Sequence, residues 1–493
     1  MLYLRMMVMT VISLYTSRVV LKVLGVEDFG IYNVVGGIVL MFSFMNSAMA
    51  LSVNRFFAFE LGRRDEAQLQ RVFGQSVVLH WLLAGVIVLI SATAGWWFLN
   101  HYLQIPADRM WAAQRVFGLS IVAFVASIVR VPYHAAIVAY EHMQVFAWLS
   151  IAEASLKLLV VFMLFKAKMD VLLLYAALIA LVTIGITLWY YIYTRLNYPA
   201  CRFRWVRDVQ LMKELLGYAG LSTFGNMATV VVQQGQNILL NIFFGPVVNA
   251  ARGVSFQINT AVSGFITNIY TAINPPIVKA YASDRRSDMI QLVYQGTKLS
   301  YFLLLLITLP IVLELEMVLN VWLVEVPEYT LVLGRLILIN SLIFYLSSPS
   351  IIALQATGKV AAVHLITGSI NLANLLVSYA YLKAGAPAEV VFYIQIVISG
   401  LMTIAVILIQ RNQLQITLRD YFREVLWPVI QVTAVSLLVP LSIYYFVEAG
   451  YLRFAMTLVL SVVWVSIVAF YLGMKPEMRT YTLALLKGRL RRN

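Results

Sequence analysis

The stretch TSRVVLKVLGVEDFGIYNVVGG, residues 16–37, decides what kind of protein this is. An arginine, Arg18, stands inside an apolar run. A glycine-bounded turn, Leu24-Gly25-Val26-Glu27-Asp28-Phe29-Gly30, follows, and then a second apolar run lasts to Asn54. Two such runs of about 20 residues, joined by a short polar turn, read as a pair of transmembrane helices. A guanidinium within the bilayer costs about 2.5–3.5 kcal/mol on insertion scales, so it is retained where it meets water or a partner. After the pair comes a basic segment, Arg55–Gln75, in which apolar residues recur at three- and four-residue steps among charges.

The same pattern fills the chain. Of its 493 residues 62% are hydrophobic and only 12% charged, with a mean hydropathy of +0.85; soluble domains sit near 25% charged. Apolar runs mark about 14 spans: 2–24, 30–53, 75–99, 114–138, 146–165, 171–194, 217–242, 252–275, 298–321, 334–355, 361–383, 389–410, 426–447 and 453–472. No polar segment exceeds about 20 residues, which leaves no room for a soluble catalytic module. The expected class is therefore an all-α, multi-pass membrane protein.

The formal charge of +14 invites a nucleic-acid reading, but its placement argues otherwise. With the N-terminus in the cytoplasm and sides alternating, roughly 23 of the 36 Lys and Arg fall inside and about 9 outside, a positive-inside pattern. The inner sets include Arg55/Arg63/Arg64/Arg71, Arg195/Arg202/Arg204/Arg207/Lys213, Lys279/Arg285/Arg286/Lys298 and the tail from Lys475 to Arg492. Both termini are thus expected in the cytoplasm, with no nucleic-acid partner. The lone Cys201 excludes an internal disulfide. Met1–Leu24 lacks a small-x-small cleavage site and is read as the first helix rather than a signal peptide.

A displacement of 220 positions lays Gly25 on Gly245, Asn54 on Asn274, Leu69 on Met289 and Gln75 on Gln295. Identities are few, yet the order of parts repeats: outer glycine turn, helix, Asn at the inner end, amphipathic basic loop. Pro132 in the fourth span is answered by Pro349 in the tenth. The expected organisation is a six-helix lobe over 1–212, a second over 213–424 related to the first by pseudo-two-fold symmetry, and two extra helices with a basic tail over 425–493. Such repeats place a substrate site at their interface. The loops 55–74 and 280–297 are expected to be amphipathic surface helices.

Polar residues recur on single helix faces. The seventh span carries Asn226, Thr229, Gln233, Gln236/Asn237 and Asn241; the eighth Arg252, Ser255, Asn259, Ser263, Thr267, Tyr270 and Asn274; the eleventh His364, Thr367, Asn371, Asn374 and Ser378. Lipid cannot satisfy these groups, so they face other helices or water. Either they are interhelical glue at about 0.6 kcal/mol a bond, or they line a hydrated cavity; three stripes in one half favour the lining, for which Asn226, Gln233, Gln236, Asn237, Asn259, Asn274, Asn371 and Asn374 are the candidates. The charges divide likewise. Arg18 and Arg130 sit near span ends, where snorkelling competes with a cavity role. Lys157 has Glu153 one turn earlier, a structural ion pair or a cavity cation. Arg252 at an outer helix end is a surface charge or a fourth cavity cation. Together these cations suit a pyrophosphate, which several charge-assisted bonds select. Neither a P-loop nor a nucleophile–base pair occurs, and the five histidines lack metal-ligand spacing, so neither cofactor nor metal is expected.

The hairpin Leu24-Gly25-x-x-x-Phe29-Gly30-x-Tyr32, with Ala356-Thr357-Gly358-Lys359 after the tenth span, resembles bacterial polysaccharide flippases. These export undecaprenyl-pyrophosphate-linked oligosaccharides such as O-antigen units, and belong to the multidrug/oligosaccharidyl-lipid/polysaccharide exporter superfamily. The resemblance implies two lobes around a cationic cavity, alternating access, a bacterial inner (plasma) membrane, and lipid-linked glycan, membrane lipids and other polysaccharide-assembly proteins as partners. It assigns substrate binding to Arg18, Arg130, Lys157, Arg55 and Arg252. Some relatives use a first-helix carboxylate for proton coupling; this first helix has none, which leaves Glu153 as the candidate for ion coupling. The expected function is a non-enzymatic flippase. The alternatives are a cation-coupled small-molecule or multidrug exporter of the same fold and a membrane glycan polymerase or ligase, which would want a large outer loop.

Overall fold

The computed structural model describes residues 2–165, 168–206, 208–357, 360–474 and 479–480. Lys166, Arg207, Gly358, Lys359 and the remainder of the basic tail lie outside the described residues. Every regular element among those described is helical, as a bilayer demands when backbone groups must be satisfied within the segment. In chain order they are α1 (Leu2–Leu40), α2 (Ser43–Arg63), α3 (Glu66–Ile90), α4 (Trp96–His101), α5 (Met110–Val129), α6 (Val131–Ala139) and α7 (Met143–Leu164). Then come α8 (Val171–Asn197), α9 (Val209–Phe244), α10 (Pro246–Ala282), α11 (Arg286–Leu313), α12 (Leu315–Trp322), α13 (Thr330–Phe344) and α14 (Ser348–Ala356). Last are α15 (Val360–Lys383), α16 (Val390–Leu414), α17 (Leu418–Tyr421), α18 (Trp427–Phe446) and α19 (Tyr451–Val468). A π-helical turn, Ser91–Gly95, fuses α3 to α4. Eleven helices among the described residues are long and apolar enough to cross a membrane. The other three expected spans are helical as well, in α1–α2, α9 and α10.

The turn at 24–30 is tighter than its sequence suggests. Gly25 alone leaves helical geometry (φ 78°, ψ 171°), and the chain resumes its helix at once. That conformation belongs almost solely to glycine. Gly245 adopts its counterpart (φ 76°, ψ −173°) between α9 and α10. Arg64 and Asp284, again 220 positions apart, both take left-handed backbone (φ 57° and 54°). They close their helices with matching bonds: Arg64 N to Leu61 O and Asp65 N to Glu60 O at 3.1 and 3.2 Å, Asp284 N to Tyr281 O and Arg285 N to Ala280 O at 3.0 Å each. Helix starts repeat at the same interval, Glu66 with Arg286 and Met110 with Thr330. The duplication therefore persists in backbone geometry where side-chain identity has faded.

These turns also correct one expectation. Residues 55–74 and 280–297 form no separate surface helices; they are the continuous ends of α2 and α10 and the beginnings of α3 and α11. Nothing in them breaks the hydrogen-bond ladder until the single left-handed residue, so the membrane helices run on into the basic segments.

By contacts the described chain forms two units. One comprises 1–254 with 323–329 and 371–388; the other comprises 255–322, 330–370 and 389–493. The units cut across the sequence repeat, since α9 and the start of α10 fall in the first. In the second unit, α11, α18 and α19 share a core that includes Val293, Leu305, Val432 and Val465. A buried carboxylate, Glu314, ties α19 to the end of α11: it accepts from Arg453 Nε at 2.9 Å, Arg453 Nη2 at 3.1 Å and Thr457 Oγ1 at 3.2 Å. With little hydrophobic gain between helices in lipid, such bonds and close packing hold the bundle.

Candidate functional site

Within the first unit, three of the sequence's charged candidates converge. Glu153 and Lys157 lie one turn apart on α7, and Lys157 Nζ donates to Glu153 Oε1 at 2.7 Å. Arg130 stands at the junction of α5 and α6, just before Pro132. Proline has no N–H to continue the ladder, so the helix is interrupted there, and Arg130 reaches across to donate from Nη1 to Glu153 Oε2 at 3.0 Å. Its guanidinium also lies 5.6 Å from the ring centroid of Tyr190 on α8, a cation–π distance.

Arg130, Glu153 and Tyr190 open into a cavity of about 330 Å³, whose lining does not include Lys157. Arg130, Glu153, His134, Asn46, Ser127 and Ser150 supply its polar wall, and Tyr190 and Phe146 its aromatic one. His134 is one helical turn beyond Arg130, and its ring packs 5.2 Å from that of Phe146 and 5.9 Å from that of Tyr190. Two cations share one carboxylate, so the cluster carries a net positive charge at neutral pH. Glu153, Arg130 and Lys157 side chains are 20%, 24% and 38% exposed. They are accessible enough to exchange partners and sheltered enough for charge to matter.

Arg18, Arg55 and Arg252 are not among the residues lining this cavity. Arg18 is half-buried on α1, one turn beyond Tyr15, whose ring lies 6.2 Å from Phe162 of α7. Arg55 is exposed on α2. Arg252 is buried on α10 and donates from Nη2 to the carbonyl of Gln233 at 2.5 Å.

The amide stripe of α9 divides in two. Asn226 and Gln233 are exposed. Further along, the amides form a ladder: Gln104 N donates to Asn241 Oδ1 (2.9 Å), Asn241 to Asn249 Oδ1 (3.0 Å), Asn249 to Asn237 Oδ1 (2.8 Å), and Asn237 to the carbonyl of Asn33 (3.0 Å). Gln236 donates to Asn374 Oδ1 at 3.0 Å, and Asn371 is buried on the same helix, α15. In the second unit Asn259 Oδ1 accepts from Ser341 at 2.5 Å, while Asn274 Oδ1 is buried without a hydrogen-bond partner.

Sequence reasoning passed over one cluster. Arg109, just before α5, donates from Nε to Asp28 Oδ1 at 2.8 Å and from Nη2 to Asp28 Oδ2, and from Nη1 to Asp170 Oδ2 at 2.7 Å. Asp170 in turn caps α8, accepting from Leu173 N at 3.0 Å. Burial alone would raise the Asp170 carboxyl, but the Leu173 amide and the Arg109 guanidinium outweigh it and hold the group below the ordinary carboxylate range. The one signal was charge at span ends, which the positive-inside pattern absorbs. The cluster pins the turn after Gly25, the start of α5 and the start of α8 together. It thereby fixes the helices that carry Arg18, Arg130 and Tyr190.

No family model matches the sequence, and no curated protein matches it. Solved structures do. The lipid II flippase MurJ in an inward closed conformation superposes with a TM-score of 0.73 over 95% of this chain and 97% of its own, at 10% identity. An inward-facing multidrug resistance MATE family transporter of the MOP superfamily gives 0.66, covering 82% of this chain and 94% of that one at 12% identity. A MOP superfamily transporter from Pyrococcus furiosus gives 0.60, covering 84% and 94% at 13% identity. The chain shares the fold of these proteins. At such identities the likeness is one of architecture, and the coverage takes in nearly the whole of each relative. Within this fold, the Arg130–Glu153 ion pair, extended by the Lys157–Glu153 bond, opens on a polar cavity of the first unit.

Proposed function

We propose that this protein is a non-enzymatic MOP-type flippase that moves an undecaprenyl-pyrophosphate-linked oligosaccharide from the cytoplasmic to the outer leaflet of a bacterial inner membrane by alternating access. The observation that carries the reading is the polar cavity lined by Arg130 and Glu153, whose carboxylate also accepts from Lys157. Charge-assisted bonds favour a diphosphate; Arg130 lines the cavity, and Lys157, bonded to the same carboxylate, is released to join it when Glu153 moves away. Glu153 occupies the place of the substrate anion; displaced by a diphosphate, it becomes the carboxylate available for ion coupling. Arg18, Arg55 and Arg252 are proposed as further contacts along the route. Of the amide candidates, Asn226 and Gln233 are exposed for sugar hydroxyls, and Asn259, Asn274 and Asn371 are retained with them. Gln236, Asn237 and Asn374 contribute by holding their helices, as their bonds support.

The test is transport by the Arg130→Ala/Lys157→Ala double variant, in vesicles carrying a fluorescent polyprenyl-pyrophosphate oligosaccharide and in cells lacking the wild-type gene. Transport is expected to fall at least about tenfold, with lipid-linked intermediates accumulating and insertion unchanged. Undiminished transport by the double variant refutes the reading. Drug sensitivity without accumulated intermediates would instead favour a small-molecule exporter of the same fold.

A further inference from the structure

The wall of the polar cavity holds an imidazole that the ion pairs leave unused. His134, on α6, is half-buried and lines the cavity one turn beyond Arg130, its backbone N–H donating to the Arg130 carbonyl at 3.0 Å. Phe146 of α7 stands nearly edge-on to its ring at 71°, and Tyr190 of α8 tilts against it at 53°. Among the described residues neither ring nitrogen makes a hydrogen bond. Sheltered polar groups ordinarily find a partner. Here two aromatic rings hold the imidazole in place and the cavity stands where that partner belongs.

The charges around it can be counted. Arg130 faces the cavity from the junction of α5 and α6, and Glu153 from α7 with Lys157 bonded to it; α8 adds Tyr190, and α2 the uncharged Asn46, Ser47 and Ala50. α3 meets α6 through Phe73 and Tyr133, whose rings are 5.5 Å apart, and adds nothing to this wall. Two cations and one carboxylate leave a single net positive charge. A diphosphate esterified at both ends brings two negative ones, so the loaded site falls one positive charge short. In a sheltered site that imbalance is costly, and a proton on His134 removes it. An imidazole titrates near about pH 6.5 and a glutamate carboxyl near about 4.3, so at neutral pH the imidazole needs the smaller change to accept a proton. Its protonation also creates a charged donor on the cavity wall, whereas protonation of Glu153 merely removes a repulsion.

We infer that His134 takes up a proton as the diphosphate head enters and donates a hydrogen bond to it, so that head and proton bind together; the inference rests on the proposed function for the identity of the anion. The linkage is reciprocal: a proton on His134 tightens the head, and the head tightens the hold of His134 on its proton by the same factor. Solvent thus supplies the last positive charge at the moment of loading.

The test is titration calorimetry on the full chain in nanodiscs. The probe is a tail-free hexose diphosphate capped by a methyl ester, whose two charges are fixed across the range used. The wild type should bind it about tenfold more weakly at pH 8 than at pH 6. Buffers of different ionisation heat should show about half a proton or more taken up per probe at pH 7. His134→Gln keeps a hydrogen-bonding side chain that does not titrate; its affinity should match that of the wild type at pH 8, stay level down to pH 6 and bring no proton uptake. A second reading leaves the site intact. With histidine isotopically labelled, one of the five imidazoles should convert to its charged form in the NMR spectrum as probe is added at pH 7, and its resonance should be the one missing from His134→Gln. Wild-type binding without pH dependence or proton uptake overturns the inference and leaves the proposed function standing. Uptake that persists in His134→Gln, the proton going to Glu153 instead, also overturns it, as does a labelled spectrum in which the His134 resonance does not convert. Binding undiminished in Arg130→Ala/Lys157→Ala overturns the proposed head site and the inference with it, so the two failures are read from different measurements.

Discussion

Glu153→Gln separates a carboxylate that competes with substrate from one that merely holds two helices together. In the structure it accepts from Lys157 at 2.7 Å and from Arg130 at 3.0 Å. Exposed ion pairs contribute about 0.2–1 kcal/mol, and stripping one partner from a buried pair costs about 3–5 kcal/mol. With side chains 20–38% exposed, each of these pairs belongs between the limits, near 1 kcal/mol after allowance for solvent screening. On the proposed function an incoming diphosphate breaks both, so the carboxylate would oppose binding by about 2 kcal/mol, or about 30-fold in Kd. Glutamine keeps the shape and an acceptor but removes the charge. The variant should therefore bind a tail-free diphosphate sugar about 10–30-fold more tightly by titration calorimetry, with the gain shrinking as salt is raised. Transport in vesicles should slow at the same time, because the head is released less readily. Unchanged or weaker binding would refute the reasoning and leave both cations committed to structure.

Two further predictions concern the frame that holds this site. Gly25→Ala and Gly245→Ala each force a side chain into backbone at φ 78° and 76°, and each should destabilise the detergent-solubilised protein by about 1–3 kcal/mol, read as a lower melting temperature. The pH dependence follows from Asp170, whose carboxyl is held below its ordinary value in the folded protein. Its contribution is fully present above the unfolded pKa of about 3.9 and is lost as pH falls through the lower folded value. Melting temperature should thus be flat from about pH 5 to 7 with respect to this group and drop below about pH 4; Arg109→Ala should lower the plateau and flatten the acid limb. An unaltered acid limb in Arg109→Ala would refute the assignment.

Much of the architecture was legible in the chain itself. Apolar runs of bilayer length admit only helices, because nothing else satisfies the backbone in lipid. Glycine at 25 and 245 marked the two turns, since no other residue adopts that backbone without strain. The Glu153–Lys157 pair was readable from i,i+4 spacing alone. The amphipathic loops misled because periodicity reports a helix without saying where it is attached. Residues 55–74 and 280–297 are helical, as the pattern implies, but as extensions of their neighbours.

What the sequence determined by itself was local: apolar helical spans, duplication, and which residues carry charge or amide into those spans. Tertiary structure decided which of them meet. Arg130 joins Glu153 across 23 positions and Arg109 joins Asp28 across 81. Asn237 reaches Asn33 across 204 and is closed off, while Asn226 on the same helix is exposed. The physical reason is that helical periodicity specifies the face on which a side chain lies. The partner waiting at that face is set by packing between helices distant in sequence, and in lipid that packing alone settles whether a polar group becomes a clamp or the wall of a cavity.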